Sequence, residues 1–165
     1  VAVWRKHCSQ LLSEPSPFSN LQQLTHCISA ALHASGMQRL LLLLADRNHS
    51  RLVSQQSVGL EPSATGLILD PSQSQVLRQL LNKPAQLRLT PANIAQYSAL
   101  LPGSLKSLFP SEHLILRSIA NQERVAMLLV VDQCGHAFSE ITLQAFAKTV
   151  QCIERGLASF AKRAR

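Results

Sequence analysis

Side chains with obvious chemistry are few in this chain, and they are dispersed. Cys134-Gly-His136 sets a thiol and an imidazole two residues apart, a pair that zinc would accept. Two ligands do not make a tetrahedral site, and His49 or His113 would have to converge on them from elsewhere. Two incidental side chains in a connecting loop is the simpler reading. His26, Cys27 and His33 fall in one helical segment, with His26 and His33 on one face. Histidines so placed are ordinarily surface or packing residues. No metal site and no cofactor are therefore expected. Arg117 is a different case, because it lies inside a predicted strand among Leu114, Ile115, Leu116 and Ile119. The two-residue period of a strand puts it on one face with Ile115 and Ile119. If that face lines a pocket, the guanidinium would hold a carboxylate or phosphate by paired hydrogen bonds. Pairing with Asp132, Glu112 or another acid, or reaching out to solvent, would account for it equally well. No P-loop, Gly-x-Ser-x-Gly or His-Glu-x-x-His string is present, so no catalytic residue is assigned and the chain is not expected to be an enzyme.

The elements that must position these residues follow from hydrophobic patterning. Val125-Ala-Met-Leu-Leu-Val-Val131 is an unbroken apolar run closed by Asp132, the pattern of a strand buried on both faces. Ser139 and Glu140 then open a helix, since a serine oxygen accepts from a first-turn N–H and an acid suits the positive helix end. Along that helix Leu143, Phe146, Val150, Ile153, Leu157 and Phe160 recur at spacings of three and four. Such a seam suits pairing with a helix of a second copy, and it equally suits packing onto the chain's own sheet. Upstream, Val3–Leu12 is predicted helical, stopped by Pro15 and Pro17. Ser19 or Asn20 caps a second helix that ends near Gly36. Arg39–Ala45 and Arg51–Val58 are predicted strands joined by the polar turn Asp46-Arg-Asn-His-Ser50. Glu61–Pro71 reads as loop and Ser72–Leu81 as helix. Gln86–Thr90 reads as a short strand, and a helix from Pro91 through Ile94, Tyr97 and Leu101 follows. The composition of Leu105–Pro110 does not decide between helix and strand. His113–Ala120 and Arg124–Asp132 form the last hairpin around Asn121-Gln122-Glu123. Two hairpins within a mixed order of elements argue for an antiparallel sheet with helices on its faces.

Composition narrows the function classes. The 165 residues (18.1 kDa) are 46% hydrophobic and 15% charged, enough for a core and too apolar for disorder. The formal charge of +7 favours anionic partners, but the basic residues are scattered apart from Lys162-Arg163-Ala-Arg165. Aromatic residues at 4% are too few for base-stacking platforms, so nucleic acid is disfavoured. No apolar run reaches the ~20 residues of a membrane span, and no signal peptide is evident. The cysteines Cys8, Cys27, Cys134 and Cys152 contain no Cys-x-x-Cys pair, which fits a reducing, cytoplasmic setting. A helix already under way at Val3, after a start at Val1, suggests a piece of a longer protein, and processing or a cloning choice would look the same.

The order of these motifs resembles the GAF domain, a small-molecule sensing module of bacterial signalling proteins. The resemblance rests on a first strand ending in Asp46-Arg-Asn-His49, a second closing on Val58-Gly59-Leu60, and Lys83-Pro84 before a short strand. It continues through the His113–Val131 hairpin and Phe138-Ser-Glu140 at the last helix, and spans about Phe18 to Phe160. Arg117-Ser-Ile-Ala120 is similar to the GAF-like region that follows the HDOD domain in some bacterial regulators, which implies a fused upstream signalling domain. The resemblance implies an α+β fold with a central, mostly antiparallel sheet, helices on both faces, and N- and C-terminal helices packed together. It divides the chain into a helical arm or linker over 1–17 and a GAF-like domain over 18–165. It also implies a sensory domain that binds a small molecule and passes its state through the terminal helices. Arg117, Tyr97 and His113 are the candidate ligand contacts, and the seam from Leu143 to Phe160 is the candidate homodimer interface. A ligand-free relative serving as a dimerisation or protein-interaction module is the alternative. The Asn-Lys-Phe-Asp-Glu signature of cyclic-nucleotide-binding relatives is absent. Sulfoxide-reducing relatives use a loop cysteine cluster, and only Cys134 is predicted in a loop.

Overall fold

In the computed structural model, which describes residues 1–163, a six-stranded antiparallel sheet separates two layers of helix. The strands are β1 (Arg39–Ala45), β2 (Leu52–Val58), β3 (Ile68–Leu69), β4 (Gln86–Leu89), β5 (Leu114–Asn121) and β6 (Arg124–Asp132), in the spatial order β3-β2-β1-β6-β5-β4. The central pair β1 and β6 carries the two apolar runs. Leu40, Leu42, Met127, Leu129 and Val131 face one layer, and Leu41, Leu43, Leu128 and Val130 face the other. Burial on both faces is why these strands are continuously apolar rather than alternating. One register slip between Ile119 and Ala120 adjusts the pattern. It puts Val125 in the opposite core to Met127, two residues on, because a bulge reverses side-chain facing.

One layer consists of α1 (Ala2–Leu12), α2 (Leu21–Ala34) and α6 (Glu140–Arg163). Asn20 caps α2, its oxygen accepting from Gln23 N at 2.9 Å while Gln23 Oε1 accepts from Ser19 N at 2.8 Å. Ser139 Oγ accepts from Thr142 N at 3.1 Å at the start of α6. Leu24, Ile28 and Leu32 of α2 meet Phe146, Val150, Ile153 and Leu157 of α6 over the sheet, and Leu11 of α1 joins them. The α6 seam is thus packed inside its own chain: Leu143 and Phe160, at its two ends, are partly buried against the same core. Phe146, Val150, Ile153 and Leu157 are thereby covered by the chain's own sheet and α2. Within the basic cluster at the C-terminus, Arg165 lies outside the described residues.

The opposite layer is thinner. It holds α3 (Gln75–Asn82), the single turn α4 (Ile94–Tyr97) and α5 (Gly103–Leu108). Three boundaries differ from the sequence reading here. Ile68–Leu69 pairs with Leu52–Val53 as an edge strand within the stretch read as loop, two residues being too few to show a period. Pro71–Gln73 forms a 3-10 turn, and α3 begins only after Ser74, whose hydroxyl accepts from Leu77 N. The segment after Pro91 gives α4 and a 3-10 turn over 98–100 rather than one helix. Leu105 and Leu108 face the sheet from α5, which settles that segment as helix.

Candidate functional site

The thin layer encloses two cavities, one on each side of α4. The smaller, about 190 Å³, lies between Ile94, Ser98, Leu105, Lys106, Phe109 and the sheet residues Leu114 and Leu116. The larger, about 410 Å³, is bounded by Gln79, Asn82 and Lys83 at the end of α3, by Gln86 and Leu87 of β4, and by Tyr97. Alternation along β5 turns Leu114 and Leu116 to this side. Pro91 starts the segment that carries Ile94 and Tyr97 over the cavities, and neither α4 nor the following 3-10 turn has a buried residue. The smaller cavity is walled mainly by apolar side chains and the larger by a mixture with Gln79, Asn82 and Gln86; each carries one lysine, and no aspartate or glutamate lines either. Ser111 Oγ is committed locally, donating to His113 O at 2.8 Å and accepting from His113 N at 3.0 Å.

The three residues named from sequence are not brought together. Tyr97, half-buried, lines the larger cavity. His113 lines neither; its Nδ1 is buried and has no hydrogen-bond partner among the described residues. Arg117 shares the α2–α6 side of the sheet with Ile115 and Ile119, as the period required, but the cavities lie on the other side. Its guanidinium points to α6, with Nη2 4.0 Å from Glu154 Oε1, and its Nε donates to Ser118 O at 3.2 Å. Of the two readings left open by sequence, the acid partner is the one seen, and that acid is Glu154. The residues that sequence did not single out are Lys106 and Phe109, which depended on the undecided Leu105–Pro110 segment. Lys83 was visible only as part of Lys83-Pro84.

A buried ion pair ties the cavity wall to the last helix. Asp132, fully buried at the end of β6, accepts from Arg39 Nε at 2.8 Å and Nη2 at 2.5 Å. Its Oδ1 also accepts from Cys134 N at 3.1 Å, in the loop that leads to α6. The hydrogen bonds that Arg39 donates to Asp132 push its guanidinium further toward the charged form. The same guanidinium lies over the ring of Phe109, 5.9 Å from its centroid.

The histidines and cysteines remain apart from the cavities. His26 is exposed, and His33 Nδ1 lies 3.0 Å from Met37 O. Cys134 is exposed on a turn of positive φ, and Gln133 and His136 bridge across that turn. Among the described residues no group of three or more His, Cys, Asp or Glu side chains is arranged to hold a metal ion. Cys8 of α1 and Cys27 of α2 are buried, and burial pushes their thiols up to about 12 and about 11. No described helix is long and apolar enough to cross a membrane.

No protein-family profile matches the chain, and no curated protein does. Solved structures do. The GAF domain from the Acinetobacter phosphoenolpyruvate-protein phosphotransferase superimposes with a TM-score of 0.68 at 19% identity, covering 97% of this chain and 93% of that one. The GAF domain/HD domain protein from Geobacter sulfurreducens gives 0.67 at 15% identity, covering 95% and 97%. The free methionine-R-sulfoxide reductase from Neisseria meningitidis, solved with its substrate, gives 0.65 at 14% identity, covering 98% and 92%. The chain therefore has the α+β GAF fold, and identities this low bear on the fold alone.

Proposed function

We propose that this chain is a non-catalytic sensory domain that takes up a small, largely apolar molecule carrying an acidic group, in the cavities beside α4. The observation that carries this reading is the placement of α4, a turn with no buried residue lying between an apolar cavity and a mixed one that each present a lysine. Segments with so little burial open at low cost, and displacing Ile94 and Tyr97 would join the two spaces. The ligand's differential affinity for the two positions of α4 would then bias the domain. The bias has a route outward. Phe109 borders the smaller cavity, Arg39 lies over Phe109, and Asp132 ties Arg39 to the backbone of the loop before α6. The setting proposed is a bacterial signalling protein with an upstream domain, and Arg117-Ser-Ile-Ala120 supports the HDOD-containing class.

Native mass spectrometry of the purified protein tests the reading, followed by hydrogen exchange over 94–100 with any molecule recovered. A bound organic acid that slows exchange there, and that is lost in Tyr97→Ala, is the expected result. Retention of that molecule by Tyr97→Ala with no protection of 94–100 would refute the site. One observation favours the second reading, a ligand-free interaction module: the smaller cavity, at about 190 Å³, is below the ~300 Å³ at which small-molecule pockets ordinarily begin, and only the larger, at about 410 Å³, exceeds it. Repeated recovery of an empty protein would decide for it.

A further inference from the structure

The outward faces of α1 and α6 form a groove that nothing in the described chain fills. The two helices run side by side in the same direction. Trp4 Nε1 donates to Thr149 Oγ1 at 2.8 Å, Leu11 lies against Gly156, and Ser159 Oγ donates to Ser13 O. Along this seam Trp4, Cys8 and Leu12 of α1 stand beside Cys152 of α6, flooring a groove of about 480 Å³. The rim is cationic on both sides, with Arg5 on α1 and Lys148 and Arg155 on α6, all three exposed. α1 contains no acidic residue, and Glu154 of α6 turns away toward Arg117. Among the described residues none of the three rim cations forms a salt bridge.

We propose that this groove docks an acidic amphipathic helix of a partner protein. Leucine-like side chains of that helix would cover Trp4, Cys8 and Cys152, and its carboxylates would face Arg5, Lys148 and Arg155. The apolar floor supplies the burial, and the unpaired rim supplies complementarity and steering. From Lys148 to Arg155 the rim runs ~10 Å, so the occupant needs about two helical turns. A second copy of this chain fits poorly, because a two-fold contact presents the same patch on both sides and sets cation against cation. A polyanion without an apolar face would leave the floor uncovered. This surface lies across the sheet from the cavities, so the proposal stands whether or not they hold a ligand.

Trp4 is the only tryptophan, so its emission reports the groove directly. The probe is a synthetic 14-residue helix with leucines at i, i+3, i+4 and i+7 and glutamates elsewhere, titrated into the whole chain at 50 mM salt. We expect a saturable change in Trp4 emission and at least tenfold weaker binding at 500 mM salt. Arg5→Glu/Lys148→Glu/Arg155→Glu should weaken binding at least tenfold with its circular dichroism unchanged, exposed rim positions being tolerant of substitution. Four outcomes would overturn the proposal. These are no emission change at 1 mM peptide, equal binding by the charge-reversed protein, and equal binding of a glutamate-only peptide or a single-stranded DNA. The fourth is sedimentation showing a homodimer that Arg155→Glu dissociates.

Discussion

Asp132→Ala is the sharpest test of how this domain is held together. The carboxylate is fully buried and accepts three hydrogen bonds, two from Arg39 and one from Cys134 N. Removing it strands a guanidinium whose side chain is only 17% exposed, and frees a backbone N–H at the start of the loop to α6. Breaking a buried ion pair from one side costs about 3–5 kcal/mol. Arg39 keeps some contact with solvent, so the lower end, ~3 kcal/mol, is expected. For a chain of this length that is a fall in Tm of roughly 6–12 °C. Urea unfolding followed by Trp4 emission and by far-ultraviolet circular dichroism measures it. Arg39→Met/Asp132→Leu supplies the control, because removing both charges also removes their desolvation cost. The double variant should return to within about 2 kcal/mol of the parent. A loss below ~1 kcal/mol for Asp132→Ala, or a double variant as unstable as the single one, would refute the reasoning.

Other substitutions read the helical layer and the thiols. A Cβ at Gly156 would stand 2.9 Å from Leu11 O and 3.2 Å from Leu11 Cβ, so Gly156→Ala should push α1 outward. We expect a red-shifted Trp4 emission and a net loss of about 1–2 kcal/mol despite alanine's better helix propensity; an unshifted spectrum would show that α1 is not seated as described. Arg117→Ala removes a long pair between a half-buried arginine and an exposed glutamate and should change stability by less than ~1 kcal/mol, leaving occupancy of the cavities unaltered in native mass spectra. Native-state thiol labelling at neutral pH should give one fast cysteine, lost in Cys134→Ser, and a slower one at half-buried Cys152, with Cys8 and Cys27 reacting only on opening. Burial raises the Cys8 thiol from 9.0 to about 12 in the folded state, so between these values the folded chain keeps a proton that the unfolded chain has lost. Stability should therefore fall as pH rises from 9 toward 12, and Cys8→Ala should flatten that fall; an unchanged alkaline slope would contradict it.

The sequence by itself determined the sheet and its thick helical layer. Runs such as Leu40–Leu44 and Val125–Val131, bounded by turn residues, leave little choice but strands covered on both faces. Side-chain caps at Asn20 and Ser139 and the three–four spacing of Phe146, Val150, Ile153 and Leu157 made α2 and α6 legible. These are signals of local geometry, since each depends only on neighbours along the chain. What only the tertiary structure decided is which surface each face meets. Period two placed Arg117 with Ile115 and Ile119, but could not say that this face meets α6 and Glu154 while the cavities open on the other. The same holds for the α6 seam, whose pattern suits a second copy and the chain's own sheet alike; that it lies over α2 and the sheet is seen only in the fold. The short elements α4 and α5 were weakly marked, because one or two turns carry too few residues for a period and gain their shape from the sheet beneath. Facing and adjacency are decided by which surfaces the folded chain must cover, and no stretch of sequence carries that information alone.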